Sequence, residues 1–366
     1  MSLPSWLPLA VAGASTIVLV VLALILPRQK KYPSSPINVA FIGNSMQYYN
    51  DCPRFMEALS SGHINQNSCL HGGATLSYIL LTGSGTSDIF NTENALRSDG
   101  TYDMGACSVP QLLFGYDDNL YDVANYNYDD DFIVESNPCS QGMYSYVVAE
   151  GLTGSAWDFI VMNDNTRHPG VEENREESIA TLKGTYVAYF LETGATPVFI
   201  DTHAYGANAG GRDTSDFDGI PDFTSKTYYG YRLYADVVGG YLPKRQAPRI
   251  APVGIAFLVV YEEDHDLWFK LFNYDDVHAS PHGTYLQGCV LHATLFGSMP
   301  YQKTALGDVS ELWSRARRMA PPDFPVMSFP TVEEARYLFK VAQMVTLKGY
   351  RPKSFVDYYT ESLSED

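Results

Sequence analysis

Short apolar runs of strand-like composition recur along this chain, and stretches with the apolar spacing of a helix lie between them. Strands are predicted over residues 39–42, 157–162, 196–203 and 249–260. Helices are predicted over residues 53–61, 176–193, 266–272, 284–296 and 331–347. Strands that alternate with helices favour a parallel sheet covered by helices. The pattern therefore predicts an α/β fold, a three-layer α/β/α sandwich with a mostly parallel central sheet.

The amino terminus has a different pattern, because residues 1–27 contain no charged residue and residues 7–26 form an apolar run. A run of about 20 residues is long enough to span the hydrocarbon core of a bilayer. A cleaved signal peptide instead begins with basic residues and has a shorter apolar segment. We therefore expect one retained N-terminal transmembrane helix and a single-pass membrane protein.

Two further features bear on the side of the membrane that the rest of the chain faces. Arg28, Lys30 and Lys31 follow the apolar run, and positively charged flanks tend to stay on the cytoplasmic side. The chain also contains no Asn-x-Ser/Thr glycosylation site. Both features favour a cytosolic domain.

Changes in composition divide the chain into three segments. Residues 1–31 hold the predicted anchor, residues 32–300 hold the alternating strands and helices, and residues 301–366 are predicted to form a helical extension. Within the second segment, residues 82–154 are rich in Gly, Asp, Asn and Tyr. Long stretches of this kind often form lids or binding loops. We expect an acidic insertion there, whose tyrosines either lie on a solvated surface or stack on sugar rings.

The formal net charge of -18 limits the partners of the protein. A strongly acidic chain is repelled by phosphate backbones and by anionic lipid surfaces. Nucleic acid and a bare anionic membrane surface are therefore not expected as partners. The charge favours a neutral or cationic substrate.

The cysteines show neither a C-x-x-C pair nor the spacing of zinc ligands. The five residues are Cys52, Cys69, Cys107, Cys139 and Cys289. Two interpretations are open: scattered buried thiols, or a bridge between Cys52 and Cys69 if the compartment is oxidising.

A serine follows the first predicted strand in the sequence Gly43-Asn44-Ser45. Open α/β sheets bind their ligands at the carboxyl ends of the strands, so this serine lies where a nucleophile would be useful. The motif is also compatible with a simple turn. The next landmark, Gly72-Gly73, is either an ordinary glycine turn or a turn whose backbone N–H approaches a ligand.

Two later motifs supply further polar side chains. Asn163-Asp164 follows the predicted strand over residues 157–162, and an Asn there either caps a turn or donates its amide to a developing oxyanion. Asp275-x-x-His278 places a carboxylate within reach of an imidazole. That arrangement would leave the second ring nitrogen free as a base.

Other polar residues receive less specific interpretations. His203 ends the predicted strand over residues 196–203 and is interpreted as structural, although it could line a site. His282 is expected in an outer shell of the site or at the surface. The spacing of four aspartates is similar to that of a calcium-binding loop, but the full set of oxygen ligands and the terminal Glu are missing. An acidic surface loop is the alternative interpretation. These aspartates are Asp213, Asp216, Asp218 and Asp222.

The order of these motifs resembles the SGNH subfamily of the GDSL-type esterases and lipases, over about residues 37–300. Gly43-Asn44-Ser45 is similar to the family's Gly-Asp-Ser block, and Gly73, with Gly72 beside it, matches the glycine of the second block. The sequence Val161-Met162-Asn163-Asp164 is similar to Gly-x-Asn-Asp. Residues 275–283 (Asp-Asp-Val-His-Ala-Ser-Pro-His-Gly) match Asp-x-x-His-Pro-Ser-x-x-Gly. Asn44 for Asp and Val161 for Gly depart from the pattern and affect loop geometry.

The resemblance implies the mechanism of a serine hydrolase. Ser45 would be the nucleophile and His278 the general base and then acid. Asp275 would orient the imidazole, with Asp276 as the alternative orienting residue. This mechanism requires neither a metal nor a cofactor.

The resemblance also implies an oxyanion hole made by the backbone N–H groups of Ser45 and Gly73 and the side chain of Asn163. The expected substrates are esters with short acyl groups, such as acetyl esters of glycans. Acyl transfer through the same serine and a catalytically silent binding or assembly subunit are the alternatives. The family resemblance favours the endomembrane lumen or the cell surface, against the flanking charges.

Overall fold

Five strands form the sheet at the centre of the structure, a computed structural model that describes residues 32–84, 108–115, 154–314, 316 and 327–362. The strands are β1 (Ile37–Gly43), β2 (Ile64–Leu70), β3 (Phe159–Met162), β4 (Thr196–Ile200) and β5 (Arg249–Ala251). Their order across the sheet is β2-β1-β3-β4-β5, and neighbouring strands are parallel in every pairing. The predicted α/β fold with a mostly parallel sheet is confirmed.

Helices connect the strands. Those before β3 are α1 (Ser45–Tyr48), α2 (Cys52–Leu59), α3 (Leu76–Thr82) and α4 (Val109–Phe114). Those between β3 and β5 are α5 (Glu172–Thr181), α6 (Val187–Thr193) and α7 (Gly219–Gly239), with a π-helical turn (Leu182–Tyr186) joining α5 to α6. Those after β5 are α8 (Val253–Glu263), α9 (His265–Lys270), α10 (Pro281–Phe296), α11 (Gln302–Ala305), α12 (Val332–Lys348) and α13 (Tyr358–Ser362).

Alternate side chains of β1 point to opposite faces of the sheet, and helices cover each face. Val39 and Phe41 pack in a core with α2, α8, α10 and α12. Ala40 and Ile42 pack in a second core with α3, α4, α6 and α7. Burying a Phe or Ile side chain contributes about 1.5–3 kcal/mol, so the two faces together supply much of the stability. Strands of a parallel sheet that is covered on both faces have unbroken apolar sequences, and β1 has this pattern.

The predicted strand over residues 249–260 is wrong beyond its beginning. β5 ends at Ala251, and α8 begins two residues later, after Pro252. The first eight residues of α8 are all buried, so this helix is apolar on every side. Apolar periodicity does not separate a fully buried helix from a buried strand, and for that reason the pattern favoured a strand.

Part of the predicted insertion over residues 82–154 belongs to the core. α4 lies inside it, and Leu112 and Leu113 are buried against the second face of the sheet. The Trp157 indole donates a hydrogen bond to the carbonyl oxygen of Leu113 at 3.3 Å. Most of the remaining insertion lies outside the described residues.

The predicted helix in the carboxyl-terminal segment is present as α12. Thr331 Oγ1 accepts from the backbone N–H of Glu334 at 3.2 Å, and the Glu334 carboxylate accepts from the backbone N–H of Thr331 at 2.7 Å. These reciprocal bonds form the predicted capping box. α12 packs against α10 and so covers one face of the domain.

The described cysteines, Cys52, Cys69 and Cys289, are free and buried. The suggested bridge between Cys52 and Cys69 is therefore wrong. The physical reason is their placement, because Cys52 packs in the core on one face of the sheet and Cys69 in the core on the other. Cys107 and Cys139 lie outside the described residues.

The predicted membrane anchor over residues 7–26 lies outside the described residues and stays a prediction. Among the residues that are described, no helix is both long enough and apolar enough to cross a membrane.

Candidate active site

Ser45 is the first residue of α1 and lies at the carboxyl edge of the sheet, just after β1. Its relative exposure is 9%. The turn between β1 and Ser45 requires a glycine at position 43. A Cβ at this position would lie 2.1 Å from Asn163 Oδ1 and 2.5 Å from Gln47 Nε2. No other residue fits there without displacing these two side chains.

Asn44 fastens the turn after β1 to two neighbouring segments. Its Oδ1 caps α1 and accepts a hydrogen bond from Asn163 Nδ2 at 2.8 Å. Its Nδ2 donates to the carbonyl oxygens of Ala74 at 2.9 Å and Asp164 at 3.1 Å. An Asp at this position, as in the family block, has no hydrogens for these two carbonyls. Asn44, which departs from the family pattern, therefore matches the two carbonyl oxygens that surround it.

Asp275 and His278 form the hydrogen-bonded pair predicted from their spacing. Asp275 Oδ2 lies 2.5 Å from His278 Nδ1, and Oδ1 accepts from the backbone N–H groups of Val277 and His278 at 3.0 and 2.9 Å. Burial raises the pKa of the Asp275 carboxyl, but the hydrogen bonds and charge of His278 outweigh it and lower the pKa to about 2. The carboxylate is ionised and holds the ring through Nδ1, which leaves Nε2 to receive a proton.

Asp276, the alternative orienting residue, makes no hydrogen bond to the His278 ring within the described residues. Its Oδ2 accepts a hydrogen bond from Asn208 Nδ2 at 2.7 Å. Its backbone is left-handed, with φ of 54°. The structure thus brings Asp275 to the imidazole and directs Asp276 elsewhere.

Tyr49 contacts both members of the pair. Its ring lies flat on the His278 imidazole, with centroids 3.7 Å apart and planes 5° apart. Burial raises the pKa of the Tyr49 hydroxyl, and Asp275 raises it further through its charge and a hydrogen bond. The side chain therefore limits the movement of the imidazole on one face while its hydroxyl meets the carboxylate.

An unusual backbone conformation places Tyr49. Asn50 and Asp51 follow it with left-handed φ values of 51° and 54°. Such a conformation costs a non-glycine residue about 1 kcal/mol or more, so the surroundings must fix it. Asn50 Nδ2 donates to the carbonyl oxygen of Ala279 at 2.7 Å, and this bond ties the kink to the residue that follows His278.

Ser45 and His278 line one cavity of about 190 Å³. Its other walls come from Asn44, Gly73, Asn165 and further residues of the segments that follow the ends of the central strands. Because the strands are parallel, their carboxyl ends meet at the same edge of the sheet, and the cavity lies there.

No hydrogen bond joins Ser45 Oγ to the His278 ring in the described part of the chain. The serine hydroxyl instead forms a hydrogen bond with Tyr48. Burial raises the pKa of Tyr48 to about 12, although the hydrogen bond to Ser45 acts to lower it. Catalytic hydrogen bonds are often long in unliganded enzymes and tighten when substrate binds. The structure therefore brings the serine and the imidazole to one cavity without a hydrogen bond between them.

Ser45 and Gly73 line this cavity, and each carries a backbone N–H group. Within the described residues, neither N–H group has a hydrogen-bond partner. The positive φ of Gly73, 69°, suits glycine. Both groups are therefore available to an oxyanion in the cavity.

Asn163 is placed differently from the expectation that it donates to an oxyanion. Its side chain is 1% exposed, and its Nδ2 donates to Asn44 Oδ1 at 2.8 Å and to the carbonyl oxygen of Asp164 at 2.9 Å. These bonds use both amide hydrogens. Asn165 lines the cavity instead, and its Nδ2 donates to the carbonyl oxygen of Gly73 at 3.2 Å.

Asp164 belongs to the framework beneath the site. It is fully buried, and burial raises its pKa. Its carboxylate accepts hydrogen bonds from Ser178 Oγ at 2.5 Å and from the Tyr234 hydroxyl at 2.9 Å. It also accepts from the backbone N–H of Asn165 at 2.8 Å, which fixes the chain at the end of β3.

Three of the four aspartates of the candidate calcium loop pair with basic residues. Asp213 and Asp216 pair with Arg167, and Asp222 pairs with Lys226 at 2.8 Å. In the described ranges of the chain, no group of three or more His, Cys, Asp or Glu side chains is arranged to hold a metal ion. Because basic residues neutralise these carboxylates, the geometry gives no support to calcium binding, and Asp218 joins no such cluster.

His203 and His282, the two other histidines considered in the sequence, are not among the residues that line the cavity. His203 is 1% exposed and stacks on Phe257 with centroids 4.2 Å apart, and burial lowers its pKa to about 4. This placement agrees with a structural role. His282 is buried in the first turn of α10, not at the surface, and its Nε2 lies 3.3 Å from Glu334 Oε2.

Tyr49, Asn165 and Arg212 line the cavity but were not singled out in the sequence. Tyr49 lies four residues after Ser45, and Asn165 lies two residues after Asn163. Their closeness to these motifs is the one feature of the sequence that could have identified them as site residues. Arg212 is the sole basic residue in the acidic stretch over residues 206–222. Nothing in the spacing connects Arg212 with Asp275 and His278.

No protein-family model and no curated protein matches this chain. Among solved structures, it is similar to a protein from Slackia heliotrinireducens provisionally described as an SGNH hydrolase, with a TM-score of 0.38 and 18% identity over 71% of this chain and 100% of that one. It is also similar to a DUF4886 family protein from Bacteroides uniformis, with a TM-score of 0.47 and 16% identity over 86% of this chain and 95% of that one.

A gut microbial diltiazem-metabolizing enzyme is a further match, with a TM-score of 0.37 and 12% identity. That match covers 74% of this chain and 49% of the enzyme. The first of the three matches bears the family name that the motifs suggested. TM-scores below 0.5 decide nothing about function, so the function is inferred from the side chains of the site.

Proposed function

We propose that this protein is a serine ester hydrolase. Ser45 attacks the ester carbonyl, and His278 takes its proton and returns it to the leaving alcohol. Asp275 orients the imidazole and stabilises its charged form. Water then releases the acyl group from Ser45 by the same steps in reverse order.

The observation that supports this proposal best is the 2.5 Å contact between Asp275 Oδ2 and His278 Nδ1 beside a cavity that Ser45 also lines. The residues come from chain positions more than 200 apart. A hydrogen-bonded carboxylate fixes the tautomer of the ring and leaves Nε2 to accept a proton. A carboxylate, an imidazole and a serine at one cavity are the parts that this chemistry needs.

The proposed oxyanion donors are the backbone N–H groups of Ser45 and Gly73 and one side-chain amide. Asn163 remains the donor implied by the family resemblance, but its amide hydrogens are engaged in the framework. Asn165 is the alternative donor at the cavity wall. Loss of one such donor reduces kcat by on the order of 10²–10³.

The proposed substrates are short-acyl esters, in particular acetyl esters of glycans. A cavity of about 190 Å³ is small compared with the roughly 300–1,000 Å³ of sites for drug-sized ligands. Its size supports a short acyl group with part of an alcohol or sugar, and it does not favour a long lipid chain.

One observation favours the alternative, a catalytically silent binding subunit. Ser45 interacts with Tyr48, and no hydrogen bond joins it to His278 within the described residues. A serine whose hydroxyl is not hydrogen-bonded to a base is a weak nucleophile. Turnover measurements separate the two functions.

The test is hydrolysis of 4-nitrophenyl acetate, butyrate and octanoate by the full-length protein and by Ser45→Ala. We expect hydrolysis that is fastest with acetate and is abolished by the substitution. Folded protein without Ser45-dependent turnover on any ester would contradict the proposal and favour the silent subunit. Acyl transfer to an added alcohol in preference to water would instead identify a transferase.

A further inference from the structure

Arg212 is the one permanently charged residue among the described residues that line the cavity of Ser45 and His278, and no Asp or Glu lines it. Its guanidinium lies over the ring of Tyr205, with Cζ 5.8 Å from the centroid. This distance is within the range of a cation–π contact, which leaves the N–H groups of the guanidinium at its edge available.

The neighbouring basic residues differ from Arg212, because carboxylates neutralise them. Arg167 pairs with Asp213 and Asp216, and Lys226 pairs with Asp222. Arg212 forms no ion pair with any carboxylate of the described residues. The aspartates of the acidic stretch thus neutralise the neighbouring cations Arg167 and Lys226, whereas Arg212 has no counter-ion among the described residues.

The segment that bears Arg212 is fastened to the loop over residues 275–278, here named the Asp-His loop. The backbone N–H of Gly206 donates to the carbonyl oxygen of Asp276 at 2.6 Å. Gly210 approaches so closely that a Cβ would lie 2.4 Å from a carbonyl oxygen of the Asp-His loop. Close backbone packing of this kind holds the segment that bears Arg212 beside the Asp-His loop.

We infer that Arg212 binds an anionic group of the substrate, a carboxylate or sulfate on an acidic sugar that also bears the ester. This inference deepens the proposed function and rests on it. The guanidinium presents its N–H donors in a planar fork that matches a carboxylate or sulfate with two hydrogen bonds. Arg212 would thus select acidic over neutral sugars.

The net charge of -18 does not oppose this assignment. At physiological ionic strength, charges are screened over about 8 Å, so the groups around the cavity decide which ligand enters it. Arg212 is exposed, and its attraction for an anion should therefore weaken as salt is added.

The test measures binding to the full-length Ser45→Ala protein, in which no ester turnover is needed. The probes are D-glucuronate, D-glucose 6-sulfate and neutral D-glucose, followed by ligand-observed NMR. The variants add Arg212→Gln, Arg212→Lys or Arg245→Gln. Arg245 is the matched control, because it is exposed and precedes β5, at the opposite end of the strands from the cavity.

We expect at least one acidic sugar to bind about tenfold more tightly than glucose, the size of effect that a hydrogen bond to a charged group provides. Arg212→Gln should remove this preference, Arg212→Lys should retain part of it, and Arg245→Gln should leave it unchanged. The tighter of the two anions identifies the carboxylate or the sulfate as the recognised group.

Equal binding of acidic and neutral sugars would overturn the inference, as would the absence of binding by every probe. An equal loss in Arg245→Gln would also overturn it, since the effect would then belong to the overall charge. Because these measurements need no catalysis, they are separate from the ester hydrolysis that tests the proposed function.

Discussion

The ring of Tyr49 and the imidazole of His278 are stacked, with centroids 3.7 Å apart and planes 5° apart. Tyr49 reaches this position because the left-handed residues Asn50 and Asp51 redirect the chain after α1. The stack and the Asp275 hydrogen bond hold the imidazole from two sides. We interpret Tyr49 as a positioning residue for the proposed base.

Replacing Tyr49 by Leu should lower kcat for acetyl esters by about tenfold or more, because a misplaced catalytic group loses much of the advantage of orientation. KM should change little. Tyr49→Phe keeps the stack and loses only the hydroxyl near Asp275, so a smaller decrease is expected. Steady-state kinetics of the two variants check this, and a wild-type kcat for Tyr49→Leu would contradict the positioning role.

Asn44→Asp should destabilise the fold although it restores the family's residue. The carboxylate would face the carbonyl oxygens of Ala74 and Asp164 without a hydrogen to donate. Leaving buried polar groups unsatisfied costs about 1–3 kcal/mol each. Urea unfolding measures the change, with Asn174→Asp as the control for the added charge, because this half-buried residue of α5 makes no side-chain hydrogen bond within the described residues. Equal stability of both variants would refute this account of Asn44.

Asn163 and Asn165 are expected to respond differently to alanine. Asn163→Ala removes the acceptor of Gln47 Nε2 at 2.7 Å and the donor to Asn44, so it should lower the free energy of unfolding. Asn165→Ala should retain stability and lower kcat if this residue donates to the oxyanion. Unfolding and kinetic measurements on both variants decide which one acts in the site. A stable Asn163→Ala with kcat reduced by about 10² or more would restore the original prediction.

The Asp275–His278 pair should stabilise the fold in a pH-dependent way. The pKa of Asp275 is lowered from 3.8 to about 2 in the folded state. A depressed carboxyl pKa contributes stability that is present above the unfolded value and is lost as the pH falls through the folded value. Thermal unfolding of wild type and Asp275→Asn should therefore differ most above pH 4 and converge towards pH 2. A difference that grows on acidification would contradict the assignment.

The sequence predicted the elements that combine a strong period with a recognisable boundary. β1 followed by Gly43-Asn44-Ser45 and α12 with its capping box at Thr331 are examples. β2 was harder to predict from the sequence, because the polar residues Gln66 and Asn67 lie at its centre. Both are nevertheless buried in the structure. The local sequence pattern does not reveal burial that is caused by neighbouring strands and helices.

The site was predictable where its parts lie within one motif. Asp275 and His278 are three residues apart, and a hydrogen bond at this spacing follows from local geometry. Tyr49 and Arg212 enter the same cavity through tertiary contacts between distant segments, which no single-sequence spacing encodes. Asn163 was assigned by resemblance, and the structure shows that its amide hydrogens go to Asn44 and the carbonyl of Asp164.

The most direct measurement of the central claim is labelling of the full-length protein with a fluorophosphonate probe, followed by mass spectrometry of the modified peptide. An activated serine reacts with such a probe because a neighbouring base removes its proton. The account predicts one adduct on Ser45, which is lost in Ser45→Ala and strongly reduced when His278 is replaced by Ala. Folded wild-type protein that is not labelled, or is labelled equally after replacement of His278, would contradict it.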